Sequence, residues 1–172
     1  AYCDCSAVTK IVTPGVTSLE AYAFQGTSAV TYEIPAGITS ISPLVFFGNT
    51  TIESYTVAVG NPSYIAQNGI VYSKDGTVLV MYPFQSRVGT FAIPENVKEI
   101  EECENISSID FGGLTTLGMR TFLGCSGLTE ITLPATMKEW GGSVFNSCSN
   151  LKTFRGLGLE SIAYADFAQC YS

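Results

Sequence analysis

The chain has 172 residues, 13% charged and 46% apolar, and its 8 basic against 15 acidic side chains leave a net charge of −7. No apolar run approaches the ~18 residues a membrane helix needs, and no basic stripe exists to neutralise phosphates, which argues against a membrane span and against nucleic acid. Histidine is absent, which removes Ser-His-Asp and Cys-His nucleophile systems, imidazole metal sites and histidine pH switches together.

In chain order, the predicted elements repeat one frame. The opening Tyr2-Cys3-Asp4-Cys5-Ser6-Ala7-Val8 already matches Phe122-Leu123-Gly124-Cys125-Ser126-Gly127-Leu128 further on. After Pro14 comes an apolar pair three residues apart, Val16 and Leu19, with Phe24 five residues beyond. The same arrangement returns at Ile38/Ile41/Phe46, Leu114/Leu117/Phe122, Met137/Trp140/Phe145 and Leu159/Ile162/Phe167, and adjacent Phe residues lie 22, 23 and 22 apart. Three positions past each Phe stand Thr27, Asn49, Cys125, Cys148 and Cys170; six past stand Val30, Ile52, Leu128 and Leu151. Self-similarity at this period is the mark of a solenoid.

Each repeat reads as one coil. Leu128-Thr-Glu-Ile131-Thr-Leu133 alternates apolar and polar, a strand with one buried face. Pro134 ends it, as Pro14, Pro35 and Pro94 end theirs, because proline has no N–H for a ladder. Met137 to Trp140 forms the return side, and the following turn drops Phe145 inward. Stacked coils bury a core that no single coil could bury alone.

Two irregularities interrupt the array. Ile52 and Ile100 are 48 residues apart, against 12 from Leu128 to Trp140, so about 36 residues are inserted. Within them Ile70 to Tyr82 reads as a β-hairpin turned at Asp75-Gly76, a pair that supplies the positive φ of a two-residue turn. Between Ile100 and Ile106 the Phe turn is missing, and Glu99, Glu101, Glu102 and Glu104 form an acidic cluster expected on the convex edge. Both ends fall inside a coil without a polar cap, so the chain reads as a segment of a longer array. The expected architecture is a single domain over 1–172, with repeats at about 1–55 and 88–172 and the hairpin insertion at about 56–87. It is a β-rich solenoid of about six coils, right-handed by the crossover rule for parallel strands. One parallel sheet lines the strand side, short return strands and turns make the other, and Phe24, Phe46, Phe122, Phe145 and Phe167 stack inside.

The repeat L-x-x-I-x-L-P-x-x-(V/M)-x-x-(I/W)-x3-(A/V)-F-x-x-C-x-x-L, carried almost whole by Leu128 to Leu151, resembles the BspA-like leucine-rich repeat family of bacterial surface proteins. The inserted Asn61-Pro62-Ser63-Tyr64, Gly69 to Thr77 and Tyr82-Pro83 also look like an element found between repeats in that family. The resemblance implies a secreted or surface-attached bacterial protein, extracellular or on the cell surface. It further implies adhesion, by binding a host extracellular or bacterial surface protein, without catalysis or cofactors.

The residues themselves offer little chemistry. Six cysteines are present, but Cys3-Asp4-Cys5 has the wrong spacing for a zinc knuckle and no second pair lies at finger spacing. Cys125, Cys148 and Cys170 share one register and read as small buried fillers, the alternative being a disulfide between neighbours. If they are fillers in an apolar column, Cys148→Ser leaves a hydroxyl without a partner and is worse than Cys148→Ala. The carboxylate pairs Glu101/Glu102 and Asp110/Glu130 have no neighbours in sequence that raise a pKa, so no catalytic residue is assigned. Tyr64, Tyr72 and Tyr82 are either self-packed or exposed anchors for a partner.

What remains is the outward row of the strand side: Lys10, Thr31, Glu33, Ser54, Thr56, Thr90, Ser108, Asp110, Glu130, Thr132, Thr153 and Arg155. This row is small and hydroxyl-rich with scattered charge, suited to a broad polar contact with a protein and not to an apolar-walled pocket. Three functions fit: a protein-binding or adhesion module, favoured here; a structural spacer; and a carbohydrate-binding accessory module, which lacks an exposed Trp platform because Trp140 falls at a core position.

Overall fold

A computed structural model describes residues 5–84, 91–97, 99–100, 106, 108–112, 114–125, 127–162 and 165–170. The fold is a β-solenoid of about five turns with almost no helix. Its packing divides the chain into two compact units, 1–76 with 80–86 and 77–79 with 87–172.

In the first unit the short strands β1 (Ser18–Leu19) and β3 (Ser40–Ile41) pair in parallel on the return side, while β2 (Thr31–Ile34) and β4 (Ser54–Val57) pair in parallel on the strand side. Alternation is as expected: Tyr32, Ile34 and Tyr55 are buried, and Thr31, Glu33 and Thr56 are exposed. Pro35 ends β2, and its carbonyl accepts from the Ile38 amide at 3.2 Å to turn the chain toward the return side. Phe24 and Phe46 stack at 5.4 Å, with Tyr32 against both rings at 5.6 and 5.3 Å. A single 3-10 turn, Pro43–Phe46, carries the second ring, its first turn started by the Ser42 hydroxyl accepting from the Leu44 amide. The register slips by one residue at Val30. Val30 is 41% exposed and Ala29 is fully buried, because the ladder pairs Thr31 with Ser54 and so sets Ala29, not Val30, beside Ile52.

The insertion holds the expected hairpin, Ile70–Ser73 beside Val78–Met81, and a second hairpin ahead of it, and the tight turn falls in the second. β5 (Tyr64–Gln67) and β6 (Ile70–Ser73) form an antiparallel hairpin whose two-residue turn is Asn68-Gly69, with φ of 52° and 80°. Two consecutive left-handed residues are what such a turn needs, and Asn-Gly supplies them. Asp75-Gly76 instead belongs to a four-residue loop before β7 (Val78–Met81): only Gly76 has positive φ there, and its amide donates to the Ser73 carbonyl at 2.8 Å. The hairpin covers both edges of the last regular coil of the first unit. At the strand edge the Tyr55 amide donates to the Gly69 carbonyl at 2.9 Å; at the return edge the Ile41 amide donates to the Tyr64 hydroxyl at 3.1 Å. Asn61 anchors the start of the insertion. Only 1% exposed, its Nδ2 donates to the Pro35 and Ile38 carbonyls at 2.9 and 3.0 Å, and its Oδ1 accepts from the Ser63 and Tyr64 amides at 2.8 Å each. Tyr72 and Tyr82 are buried and Tyr64 half-buried, so the tyrosines are packing groups and not exposed anchors.

In the second unit Val78 and Leu79 pair in parallel with β9 (Glu99–Ile100), and β11 (Thr116–Leu117) with β13 (Glu139–Trp140). On the strand side β8 (Phe91–Ala92) pairs with β10 (Ile109–Asp110), and β12 (Glu130–Leu133) with β14 (Thr153–Gly156). Among the described residues the strand side is thus a set of separate two-stranded ladders and not the single sheet expected. Phe122, Phe145 and Phe167 do stack, at 5.3 and 5.5 Å with planes 12° and 13° apart. Phe122 and Phe145 are fully buried and Phe167 only half. The turn around each ring has a left-handed residue two after it (Gly26, Gly48, Gly124, Ser147, Gln169), and all but the 3-10 turn of Phe46 also have one two before it (Tyr22, Arg120, Ser143, Ala165). The acidic cluster at Glu101, Glu102 and Glu104, and Thr90 of the outward row, lie outside the described residues; Glu99 is exposed.

The cysteine column is not inert filler. Cys125 and Cys148 are buried and Cys170 half-buried, all free thiols. The Cys148 thiol donates to the Phe122 carbonyl and that of Cys170 to the Phe145 carbonyl, each at 3.0 Å. The same position in the first unit holds Thr27, whose hydroxyl donates to the Phe24 carbonyl at 2.9 Å, and Asn49, whose amide donates to Thr27 and to the Ala29 carbonyl. The column is therefore a row of side-chain donors facing carbonyls, and the expected ranking of substitutions reverses. Cys148→Ser retains a second donor for the Phe122 carbonyl, which also accepts from the Cys125 amide at 3.1 Å, and should cost less than about 0.5 kcal/mol, whereas Cys148→Ala loses that second hydrogen bond and should cost about 0.5–1.5 kcal/mol; denaturant unfolding of the two variants checks the order. Burial first, and the neighbouring Cys170 second, push the Cys148 thiol up to about 12, against the partial opposition of its backbone hydrogen bond. The unfolded chain releases this proton near the ordinary 9.0 and the folded chain only near 12. Stability from this group is therefore complete below pH ~9 and lost as pH climbs toward ~12.

Candidate binding face

The ladders place most of the outward row in pairs. In the first unit Thr31 lies beside Ser54 and Glu33 beside Thr56; in the second Glu130 lies beside Thr153 and Thr132 beside Arg155. Period-2 alternation aims all of them away from the core. Lys10, Glu33, Thr56, Ser108, Asp110, Glu130, Thr132 and Arg155 are exposed, while Ser54 and Thr153 are half-buried. Ser54 is covered by the hairpin tip: a side chain at position 69 would come within 2.9 Å of its Cβ. That tip brings exposed Gln67 and Asn68 to the edge of β4, two residues the sequence reading did not place on the face. The Asn-Gly dipeptide was the signal that could have placed them.

Charge on the row is dispersed. Arg155 and Glu130 approach to 3.9 Å diagonally across the β12–β14 ladder, both more than half exposed, a geometry worth little in water. Asp110 turns its carboxylate back to accept from the Gly112 amide at 3.1 Å, which shapes the corner after β10. Beside Asp110 and Thr132 lies a shallow depression of about 200 Å³ floored by Ile109, Leu133, Pro134 and Leu157. In the first unit a larger open groove of about 430 Å³ runs past Lys10 and Glu33. Among the described residues no group of three or more cysteine or carboxylate side chains is placed to hold a metal ion. No described helix is long and apolar enough to cross a membrane.

Trp140 is half-buried and packs on Phe145 and Phe154 at 5.7 and 5.6 Å. Its indole N–H donates to Asp166 Oδ2 at 2.8 Å, and Asp166 is 1% exposed. The tryptophan is a packing and tethering group in the wall of the coil, not a stacking platform.

A family model described as "BspA type Leucine rich repeat region" matches the chain in six copies over residues 1–74 and 70–172. The chain belongs to the BspA-type leucine-rich repeat family. A leucine-rich repeat protein from Eubacterium ventriosum is 26% identical, with a TM-score of 0.79 over 92% of this chain and 45% of its own. The pneumococcal vaccine antigen PcpA is 20% identical and shares the fold, with a TM-score of 0.65 over 86% of this chain and 48% of its own. The BspA-type chain thus spans about half the length of these solved structures. No curated protein matches it.

Proposed function

We propose that this BspA-type repeat segment is a non-catalytic protein-binding module of a bacterial surface or secreted protein, holding its strand side toward a partner and serving adhesion. The observation that carries the reading is the outward row itself. Thr31, Glu33, Thr56, Glu130, Thr132 and Arg155 stand exposed on rigid parallel ladders while the facing positions of the same strands fill the core. Stacked coils of this kind suit extended contact surfaces. Small polar side chains with few charges suit a broad interface in which no one contact dominates. The partner class is a host extracellular protein or a bacterial surface protein, in keeping with the surface repeat proteins whose family this is.

The test is affinity selection from extracellular-matrix and plasma proteins with the purified chain, followed by titration of whatever is retained. Retention of a protein with saturable micromolar binding is expected. Recovery of nothing at micromolar concentration favours a spacer, and recovery of glycans alone favours a carbohydrate-binding module. For any protein retained, Glu130→Ala should lose well under about 1 kcal/mol of binding, since exposed charge contacts are individually weak.

A further inference from the structure

We infer that the groove of the first compact unit is a docking site for an extended segment of a partner protein carrying an acidic residue, a basic residue and a small apolar residue at alternate positions. This rests on the strand-side reading above and says where the specific part of that contact is made. The groove, about 430 Å³, is lined by Lys10, Val12, Thr31, Glu33, Pro35 and Ala58 among others. Its apolar floor is open to solvent, with Val12 69% exposed.

The arrangement of charge is the informative part. With the one-residue-shorter turn that buries Ala29, the alternation of the sequence sets Lys10 level with Thr31 and Val12 level with Glu33, while the β2–β4 ladder sets Thr31 beside Ser54 and Glu33 beside Thr56. Lys10, Glu33 and Ala58 therefore step diagonally across three successive coils, and all three line the groove. In the second unit the corresponding diagonal is closed by the Glu130–Arg155 pair. Lys10 and Glu33 make no ion pair or hydrogen bond with any described residue, so both charges stand ready for a ligand on either side of an apolar floor. Diagonal neighbours on a ladder are ~7–8 Å apart. An extended peptide repeats its side chains on one face every two residues, ~6.8 Å. The match sets a carboxylate opposite Lys10, a cation two residues along opposite Glu33, and a small apolar side chain two further along against Ala58.

The experiment is an NMR titration of the full chain with two blocked peptides, Ser-Glu-Thr-Lys-Thr-Val-Ser and its charge-exchanged form Ser-Lys-Thr-Glu-Thr-Val-Ser. The first should perturb the amides of Val12, Thr31, Glu33 and Ala58 and bind about tenfold tighter than the second, the difference shrinking as salt rises. The double variant Lys10→Glu/Glu33→Lys, whose side chains are exposed and unpaired, should prefer the second peptide. Equal binding of the two peptides, an unchanged preference in the double variant, or no perturbation at millimolar peptide overturns the assignment. So do shifts that depend on protein concentration without peptide, which would make a second copy the occupant. A partner retained by affinity selection that still needs Glu130 and Arg155 would leave the strand-side reading standing without the groove; loss of both readouts would end both.

Discussion

Phe145→Ala should destabilise the second unit by about 3–5 kcal/mol, the range for truncating a large buried aromatic whose site cannot collapse. The ring is fully buried between Phe122 and Phe167, at 5.3 and 5.5 Å, and is edged by Trp140 and Phe154. Its neighbours belong to successive coils, so the cavity has rigid ladders on both sides and little freedom to close. Phe167→Ala should cost less, about 1–2 kcal/mol, because that ring is only partly buried. Denaturant unfolding followed by tryptophan fluorescence measures both, Trp140 lying against Phe145. A loss below about 1 kcal/mol at Phe145 would mean that the ring column is not what holds the coils together.

Asn61→Ala should be comparably damaging, on the order of 2–4 kcal/mol, through polarity and not volume. One buried side chain satisfies two carbonyls and two amides at 2.8–3.0 Å. Its removal takes the side-chain partner from the Ile38 carbonyl and from the Ser63 and Tyr64 amides where water has little access, as Asn61 is 1% exposed, while the Pro35 carbonyl keeps only the Ile38 amide. The amides of Ser63 and Tyr64 should lose hydrogen-exchange protection in this variant, while those of β12 and β14 keep theirs. A neutral Asn61→Ala would show that the hairpin does not depend on its anchor.

How much of this was legible beforehand depended on whether the signal was local. The Phe frame, the prolines and the alternation in Thr31–Ile34 and Glu130–Leu133 are short-range patterns, and the strands and stacked rings appear where they put them. Competing local signals were resolved by packing. Two turn dipeptides lay seven residues apart, and Asn68-Gly69 won the tight turn because its carbonyl also closes the β4 edge at Tyr55. The slip from Val30 to Ala29 follows a turn one residue shorter than its neighbours, invisible to a fixed spacing. The donors of the cysteine column were not legible at all, since Cys148 finds its acceptor 26 residues earlier in the chain. On the candidate face the alternation placed the row, but two-stranded ladders in place of one sheet, and the hairpin tip over Ser54, are tertiary outcomes.

The most direct measurement compares two multiply substituted proteins against a retained partner: Glu33, Asp110, Glu130 and Arg155 changed together to Ala on the strand side, and Ser40, Thr116 and Glu139 changed to Ala on the return side. All seven residues are exposed and lie outside the core, so both proteins should fold, the strand-side one melting slightly lower because Asp110 no longer accepts from the Gly112 amide. Strand-side binding predicts a loss of at least about tenfold in affinity for the first protein, smaller at high salt, and little change for the second. Full affinity in the strand-side variant together with a loss in the return-side variant would contradict the account.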